Sequence, residues 1–597
     1  MNSRNTWRWL IVAAALFGFI LFQQRYLRKT GGGPVKVLPG LKAAEVTKVQ
    51  VRPAAQLEIR AERTNGTWQL TEPLVSPAQA ASIEKLLGEL ETLTPAPYIT
   101  ARALRNRPNT DEEYGFAAPQ ASIIIEQPGY ATRLRVGVKT TPGDQVFLQV
   151  VGTEGIYVVN ADFLNYLPRT VNDWRDTAFI NLSGLAFDRL AVTNGTKMFE
   201  LRREGTNKLW HMVYPLQARG NNPQIEQSLQ ALQSVRVRQF VSDDPKADLE
   251  TFGLQPPELE VALGRGTNTV ARLQFGKSPT NDTRLVYARR LGLNGIVAVR
   301  KDLLAPWYAQ VNDFRDPFLV TWTTPVAVID VRGQDSFSLQ QTNDAWRVLP
   351  QDYPADAGLV KDLVSALRGL QIAEFTKDVA IAPELPAYGL ASPARQYILR
   401  SATTNSPAGP TNPIVVEVAF GTNQADKVFA RRADESCVYA VKFADFQRLP
   451  AASWEMRERR IWTLSTNDVA GATIRQQGRV RQIIRNGPHD WSLAPGSQGV
   501  INVLGVEETV SGLCQLAAVA WVACGNQEWT RYGFTDNSDR VTLDLRDGRK
   551  VSVDFSDRAS ANLPYAAVTQ GGQPWVFQFP TWLYDYVVRF LAVPPTP

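Results

Sequence analysis

Two short landmarks recur four times along this chain at a nearly constant spacing. One is a tryptophan in a strand-like context, and the other is a glycine that follows an aromatic residue. The tryptophans are Trp68, Trp210, Trp346 and Trp491, and the glycines are Gly115, Gly253, Gly389 and Gly533. Subtracting residue numbers gives steps of 142, 136 and 145 for the tryptophans and 138, 136 and 144 for the glycines. Two landmarks that keep one period predict a tandem array of four similar repeats.

Each repeat has the same predicted order of elements. Alternating segments such as residues 47–51 and 57–61 predict β-strands, and the spacing of Ile83, Leu86, Leu87 and Leu90 predicts a helix. Ser76 and Pro77, and likewise Asn222 and Pro223, predict where the helices of the first two repeats begin. Runs of strands with helices between them favour an α+β fold, in which each repeat is an antiparallel β meander with a packed helix.

The landmarks divide the 597-residue chain into six segments. The predicted boundaries are residues 1–29 for an N-terminal membrane anchor, 30–42 for a linker, 43–182 for repeat 1, 183–322 for repeat 2, 323–464 for repeat 3 and 465–597 for repeat 4. Four domains of this size agree with the usual range of about 100–200 residues per domain. Residues 401–413 are rich in Ser, Thr, Asn and Pro, and they predict a loop that only repeat 3 has.

The first segment predicts a transmembrane helix over residues 7–24. A helix over residues 7–22 would rise roughly 24 Å, so interfacial aromatic residues would have to complete the ~30 Å hydrocarbon core. A cleaved signal peptide is the alternative. We expect an uncleaved single-pass anchor in the cytoplasmic membrane with the body of the protein outside the cytoplasm. The charges that flank the segment would by themselves favour the opposite orientation.

Composition argues against several classes of function. The net charge of +6 is spread over a long chain without a block of like charges, so we expect no nucleic-acid partner. The chain has two histidines, His211 and His489, which fall in different repeats and so are not placed to share a metal. Cys514 and Cys524 are expected to be free thiols. The sequence predicts no catalytic residue, no cofactor and no metal site.

The recurring residues have structural and functional interpretations. The repeat tryptophans are expected to fill cores, with a ligand-stacking platform as the alternative. The landmark glycines are expected to adopt positive φ or to allow close packing. A charged signature closes each of the first three repeats, and repeat 4 ends before it. It could be a catalytic carboxylate pair with an arginine, but its recurrence favours ion pairs between consecutive repeats. These residues are Asp173, Arg175 and Asp176, then Asp313, Arg315 and Asp316, and Arg457 in a looser third copy.

The strand tryptophan, the aromatic-Gly turn with a proline beyond it, and the Arg-Asp/Glu ending together resemble the bacterial proteins grouped as domain of unknown function 4340. The similarity extends over residues 43–597 as successive copies, and repeat 4 departs most, with Phe555 and Ser556 where the others have an apolar residue and glycine. The resemblance implies an envelope protein, often associated with a gliding-motility-type ABC transporter, and it implies no catalytic residue.

Three functions remain open at this point. We expect a non-catalytic, membrane-anchored, extracytoplasmic scaffold that binds a protein or an envelope polymer, as an accessory of an ABC transporter or of envelope assembly. The alternatives are a hydrolase-type envelope enzyme with a site between repeats, and a purely structural spacer. An enzyme would require a polar cluster in one repeat that the other copies lack.

Overall fold

A computed structural model describes residues 14–17 and 36–593, apart from residues 55, 106, 142, 205–207, 294, 344, 403, 407–408 and 561–562. The chain forms two compact bodies. Body 1 extends to Pro215 and includes Asn222–Val311, whereas body 2 comprises Leu216–Asn221 and the chain from Asn312 onward. Repeats 1 and 2 thus form body 1, except that residues 216–221 and 312–322 of repeat 2 belong to body 2. Repeats 3 and 4 form the rest of body 2.

The first sheet of body 1 is antiparallel and consists of two meanders. Its strands β1–β9 are Lys48–Pro53, Ile59–Thr64, Thr67–Glu72, Ser76–Pro77, Tyr98–Ile99, Ala121–Gln127, Tyr130–Lys139, Gln145–Val150 and Ile156–Asn160. Their order across the sheet is β4-β3-β2-β1-β6-β7-β8-β9-β5. The two meanders meet where β1 pairs with β6. Helix α1 (Ala80–Thr92) connects the first meander to the second half of the repeat.

The second sheet of body 1 repeats this topology. Strands β10–β12 are Arg189–Asn194, Lys197–Glu204 and Leu209–Tyr214, and β14–β18 are Val237–Ser242, Leu259–Arg265, Asn268–Phe275, Leu285–Arg290 and Ile296–Arg300. Within body 1 they follow the order β12-β11-β10-β15-β16-β17-β18-β14. The short strand β13 (Ala218–Arg219) belongs to body 2.

Body 2 contains the sheets of repeats 3 and 4. In repeat 3, β19–β24 are Val328–Arg332, Phe337–Thr342, Ala345–Leu349, Tyr353–Pro354, Ile372–Lys377 and Arg395–Arg400, and β27–β29 are Ile414–Gln424, Lys427–Arg432 and Val438–Lys442. In repeat 4, β30–β37 are Val469–Gln476, Arg479–Gly487, Asp490–Leu493, Ala520–Cys524, Asp539–Leu545, Lys550–Ser560, Leu563–Gln570 and Gln573–Gln578. The orders are β22-β21-β20-β19-β24-β27-β28-β29-β23 and β32-β31-β30-β34-β35-β36-β37-β33.

Residues 401–413 differ from the predicted loop. The segment contains two short paired strands, β25 (Thr404–Ser406) and β26 (Gly409–Thr411), which form a separate hairpin. This hairpin lies between β24 and β27 in the chain but does not join their sheet.

The helical elements are short except for one helix in each repeat. Helices α2–α9 are Ala101–Leu104, Thr110–Glu113, Asn222–Ser234, Ala357–Arg368, Phe443–Gln447, Val503–Cys514, Asn526–Arg531 and Thr581–Tyr586. The 3-10 turns are Ala43–Glu45, Ala161–Tyr166, Val171–Asp173, Leu182–Gly184, Glu250–Phe252, Asp302–Tyr308, Val311–Phe314, Ala382–Tyr388, Ser453–Met456 and Thr466–Asp468, and a π-helical turn spans Val587–Leu591.

The long helix of each repeat covers one face of its sheet. In repeat 1, burial alternates along β6, and its inward residues Ile123 and Ile125 share one core with Ile83 and Leu87 of α1. This alternation follows from the period of two along a strand, because every second side chain points to the helix-covered face. The other face of the sheet carries polar side chains and a smaller apolar cluster around Tyr114, Phe116 and Ile156.

The predicted fold class, α+β with an N-terminal transmembrane helix, is wrong. Strands account for 42% of the residues and helices for 24%. The strands form four large antiparallel sheets, so the protein is mainly β. Of the predicted membrane segment 7–24, residues 14–17 form one helical turn and the rest lie outside the described residues. Among the described helices, none combines the length and the apolar character needed to span a bilayer. The expectation of four repeated antiparallel meanders fits the structure.

The helix of repeat 1 begins later than predicted. Ser76 and Pro77 form β4, and α1 starts at Ala80. The helix starts late because the two residues before it are bonded elsewhere. Ala78 N donates to Trp68 O of β3 at 3.1 Å, and Gln79 N donates to Trp174 O at the end of the repeat at 2.8 Å. In repeat 2 the helix α4 does include Asn222 at its start, as predicted.

Candidate functional site

The arginine at the end of repeat 1 is buried against repeat 2 within body 1. Arg175 is 3% exposed, and its guanidinium carbon lies 3.8 Å from the ring centroid of Phe240 on β14. Its Nη2 lies 2.9 Å from Oδ1 of Asp243, and its Nη1 donates to Asn172 Oδ1 at 3.3 Å. Stacking and a charge-assisted hydrogen bond thus join the end of repeat 1 to the edge strand of repeat 2.

Arg315 repeats this arrangement entirely within body 2. It is 2% exposed, and its guanidinium carbon lies 3.9 Å from the ring centroid of Phe375 on β23. Its Nη1 donates to Asp378 at 2.6 Å and to Asn312 Oδ1 at 3.1 Å. In both junctions the carboxylate follows the aromatic residue by three positions, so one local geometry is used twice.

The third junction replaces the carboxylate with aromatic rings. The guanidinium carbon of Arg457 lies 3.7 Å from the ring centroid of Trp575 and 4.5 Å from that of Trp521, and its Nη2 donates to Gln570 Oε1. Cys524 stands three positions after Trp521, where the other junctions have aspartate. Burial lowers the pKa of Arg457, and no carboxylate of the described chain contributes to its electrostatics. Repeats 3 and 4 are therefore joined by cation–π contacts.

The predicted aspartates mostly bind their own turns. Asp173 Oδ2 accepts from Thr170 N at 2.8 Å and caps the turn before Trp174. Asp176 Oδ1 accepts from Ala178 N at 2.9 Å. The carbonyl oxygen of Asp313 accepts from Asn221 Nδ2 at 3.1 Å. These aspartates shape the backbone that presents the arginine, and the arginine makes the contact with the next repeat.

Three of the four repeat tryptophans lie beside an arginine and a glutamate. In repeat 2, the guanidinium carbon of Arg203 lies 4.3 Å from the Trp210 ring centroid, and Trp210 Nε1 donates to Glu226 at 2.9 Å. Arg203 also donates to Glu226 at 2.6 Å. In repeat 4, the same three contacts join Arg485, Trp491 and Glu507. In repeat 1, Arg63 lies over the Trp68 ring and pairs with Glu84, but Trp68 Nε1 has no hydrogen-bond partner among the described residues.

Repeat 3 lacks this arrangement. Trp68, Trp210 and Trp491 are 4%, 0% and 2% exposed, whereas Trp346 is only partly buried. Gln341 pairs with Trp346 across the hairpin, where Arg63 pairs with Trp68 in repeat 1. The sequence did contain a signal for this motif, because a glutamate follows the tryptophan by 16 residues in the other three repeats.

The landmark glycines pack closely against the neighbouring chain, three of them against backbone atoms and Gly533 against side chains, and leave no space for a ligand. Gly115, Gly253, Gly389 and Gly533 have φ values of 76°, 66°, 67° and 85°. A Cβ on Gly389 would lie 2.6 Å from the backbone nitrogen of Thr422 on the neighbouring strand. Positive φ and this close approach both require glycine, so these residues serve the fold.

A buried polar cluster in body 2 is particular to one junction. Arg219 Nε donates to Glu435 Oε1 at 2.7 Å, and its other nitrogens donate to Asp316 and to the Phe318 carbonyl oxygen. Tyr439 OH donates to Glu435 Oε2 at 2.6 Å. Isolated β-bridges identify the residues opposite the three junction arginines as Ala78, Gly220 and Ala355. The residues just before them are equivalent positions in the three repeats, and these are Pro77, Arg219 and Pro354. Arginine therefore occurs at this position only in repeat 2 of these three.

The electrostatics of this cluster favour fixed protonation states. Burial acts to lower the pKa of Arg219, but the charges of Glu435 and Asp316 outweigh it and raise the pKa. Burial, with the charge of Glu435, raises the pKa of Tyr439. Burial also raises the pKa of the Cys437 thiol. These groups hold their protons near neutral pH, which suits a structural network better than proton transfer.

Repeat 3 also carries a polar cleft of about 530 Å³ on the open face of its sheet. Ser338 Oγ donates to Asp330 Oδ1 at 2.5 Å, and Arg400 Nε donates to Asp330 Oδ2 at 2.9 Å. Arg400 Nη1 also donates to the carbonyl oxygen of Asn412, which follows the hairpin that, among the described residues, occurs in repeat 3 alone. Arg332 and Gln340 line the cleft and are exposed.

This cleft can hold a hydroxyl-rich or amide-rich ligand of small-molecule size. Its volume lies within the usual range of roughly 300–1,000 Å³ for ligand pockets. The side chains offer both donors and a carboxylate acceptor, and the Arg400–Asp330 pair is fixed by its own hydrogen bonds. Sequence reasoning identified the loop at residues 401–413 but had no means of placing it beside Asp330, which is 70 residues from Arg400 along the chain.

The histidines and cysteines do not converge. His211 lies in body 1 and is exposed, and His489 lies in body 2 with its side chain 85% exposed. Cys437, Cys514 and Cys524 are free thiols. Across the described residues no group of three or more His, Cys, Asp or Glu side chains is arranged to hold a metal ion.

Comparison with solved structures gives only weak likenesses. A crystal structure of the DNA polymerase sliding clamp from Pseudomonas aeruginosa with ligand aligns with 70% of this chain and 96% of its own, at 9% identity and a TM-score of 0.11. A score this low carries no argument about the fold. No curated protein matches the chain.

One protein-family model matches the chain three times. It is described as Domain of unknown function (DUF4340), and it matches residues 68–209, 210–393 and 346–522. Each match begins at a repeat tryptophan, Trp68, Trp210 or Trp346, so the family unit has the period of the structural repeat. The chain therefore belongs to the DUF4340 family and contains several successive copies of its domain.

Proposed function

We propose that this chain is a non-catalytic scaffold that binds a partner through surfaces particular to single repeats. The observation that supports this function is the recurrence of one junction. Arg175, Arg315 and Arg457 are each stacked on an aromatic ring at the end of a repeat. The polar residues that recur are thus used within the fold, at the junctions or beside the repeat tryptophans, which leaves the residues that differ between repeats for recognition.

The cleft of repeat 3 is the proposed binding surface. It combines exposed Arg332 and Gln340 with the fixed Asp330–Arg400 pair and with Asn412, which follows a hairpin that the described residues of the other repeats do not form. Such a mixture of donors and acceptors suits a hydroxyl-rich envelope polymer, and a polar protein loop is the second candidate. Location at the cell envelope and association with an ABC transporter stay predictions that rest on the resemblance.

Capture of partners from solubilised cell envelopes tests the proposal. The full chain would be immobilised beside an Arg332→Ala/Gln340→Ala variant and a matched control, Arg546→Ala/Gln573→Ala, which changes the same residue types at exposed positions of repeat 4. Bound protein would be identified by mass spectrometry and bound glycan by sugar analysis. We expect the cleft variant to recover at least tenfold less partner than the wild type and the control.

Two outcomes would contradict the proposal. Equal recovery by the cleft variant would remove the repeat-3 cleft as the binding surface. Recovery of no protein and no glycan by the wild type would contradict partner binding itself and favour a structural spacer.

A further inference from the structure

A second cleft, in repeat 2, gathers cationic side chains at the ends of three neighbouring strands. The order β17-β18-β14 ends the sheet, with Leu285 opposite Arg300 and Val237 opposite Val299. Arg238 follows Val237, so the topology brings it to the end of the sheet where Arg300 lies. The cleft has a volume of about 720 Å³ and is lined by Arg238, Asp282, Thr283, Arg284, Leu285, Arg300, Lys301 and Asp302.

Two of the four cations are already compensated. Arg284 forms two hydrogen bonds with Asp282, at 2.9 and 3.0 Å, and Arg300 Nε donates to Asp302 at 3.0 Å. Hydrogen bonds from Arg284 lower the pKa of Asp282, so this carboxylate remains ionised. Within the described chain neither Arg238 nor Lys301 has an ion-pair partner. Four cations against two carboxylates leave a local excess of two positive charges.

This charge is not part of the common repeat architecture. The nitrogen of Lys301 donates to the carbonyl oxygen of Arg284, and the same backbone bond joins Ala161 to Asp144 in repeat 1 and Phe443 to Asp426 in repeat 3. Arg284 therefore corresponds to Asp144 in repeat 1 and Asp426 in repeat 3. Lys301 corresponds to Ala161 in repeat 1 and Phe443 in repeat 3. Because the backbone is the same, the fold does not require the positive residues.

We propose that this cleft binds a dianionic phosphate group. A phosphate monoester carries about −1.5 to −2 charges near pH 7, which matches the uncompensated charge, whereas a single carboxylate does not. Arginine offers paired N–H donors to phosphate oxygens, and lysine supplies a compact charge. This inference goes beyond the scaffold function, and it uses a different repeat from the proposed polymer cleft.

Calorimetric titration of the full chain tests this site. Inorganic phosphate would be titrated at constant ionic strength into the wild type, an Arg238→Ala/Lys301→Ala variant and a Lys246→Ala/Arg265→Ala control. Both variants remove two positive charges from exposed positions of repeat 2. We expect at least tenfold weaker binding for the cleft variant and less than a twofold change for the control.

Two further arms complete the test. An Arg284→Asp/Arg300→Asn/Lys301→Ala variant places the repeat 1 residues in the cleft, and we expect it to lose phosphate binding while its far-ultraviolet circular dichroism is unchanged. Co-sedimentation with phosphatidylcholine vesicles, with and without phosphatidic acid, distinguishes a lipid phosphate from a soluble one. The proposal is overturned if the wild type does not bind millimolar phosphate, or if the control loses as much affinity as the cleft variant.

Discussion

At the scale of single residues, the junction arginines are buried cations whose surroundings depend on a planar guanidinium. Arg315 lies flat on Phe375 while it donates to Asp378 and Asn312. A lysine keeps the charge but has neither the planar face nor the fork of donors, so it cannot make all of these contacts at once. The geometry of the group therefore matters more here than its charge.

We expect Arg315→Lys to destabilise body 2 by about 2–3 kcal/mol, since a buried charge-assisted bond and a cation–π contact are lost together. Urea denaturation followed by tryptophan fluorescence would measure the change in the free energy of unfolding. Arg332→Lys is the matched control, because Arg332 is exposed in the same body. An Arg315→Lys variant as stable as this control would mean that the stack contributes nothing measurable.

Burial also fixes the state of Cys514 at the end of α7. This side chain is 0% exposed, and burial raises the pKa of its thiol to about 11. The pKa of an unfolded cysteine is about 8.5, so the folded state holds the proton over a wider pH range. Stability from this group is thus present below about pH 8.5 and is lost as the pH rises toward 11.

We expect Cys514 to resist iodoacetamide in the folded protein at pH 8.5 and to react readily in urea at the same pH, because the thiolate is the nucleophile. Both cysteines lie on the tryptic peptide 486–531, so tandem mass spectrometry would locate the modification and report its fraction at each, with the partly exposed Cys524 as the internal comparison. Rapid labelling of Cys514 without denaturant would contradict its burial in the core of repeat 4.

At the scale of elements, a pair of glycines fixes how the aromatic-Gly turn meets the second meander. A Cβ on Gly421 would lie 2.0 Å from the Tyr388 carbonyl oxygen, and Gly137 and Gly276 have the same environment in repeats 1 and 2. In repeat 4 the position holds Ser556, whose Oγ donates to the Tyr532 carbonyl oxygen. In repeats 1 to 3 a glycine therefore packs directly on the carbonyl oxygen of the turn, whereas in repeat 4 a serine side chain donates a hydrogen bond to it.

We expect Gly421→Ala to destabilise repeat 3 by more than about 3 kcal/mol, since the Tyr388 carbonyl oxygen cannot move aside without distorting the turn Ala382–Tyr388. Ser556→Ala, which adds no atom, should cost only about 1 kcal/mol for the lost hydrogen bond. Thermal denaturation of the two variants would compare them. A Gly421→Ala variant with an unchanged melting temperature would show that the turn can shift.

Sequence patterns predicted the meanders and the helix of each repeat because these depend on local periodicity. They misplaced the start of α1, since the bonds that delay it come from Trp68 and Trp174, which are distant in sequence. The same limit applies to the sites. Asp243 and Asp378 are ordinary acidic residues until the chain places them beside Arg175 and Arg315.

At the scale of the whole molecule, the chain forms two compact bodies. Each body contains at least one buried repeat tryptophan. Trp210 in body 1 is 0% exposed and Trp491 in body 2 is 2% exposed. Replacing either ring with alanine leaves a cavity, which costs about 3–5 kcal/mol in a well-packed core.

We therefore expect thermal unfolding of the full chain to depart from two-state behaviour, with a calorimetric enthalpy above the van't Hoff value. Trp210→Ala should lower the transition of body 1 and leave that of body 2 in place, and Trp491→Ala should do the reverse, so each variant is the control for the other. Differential scanning calorimetry would resolve the two shifts. If both variants moved one common transition by the same amount, the two bodies would form a single cooperative unit, because a local cavity would then destabilise the whole chain.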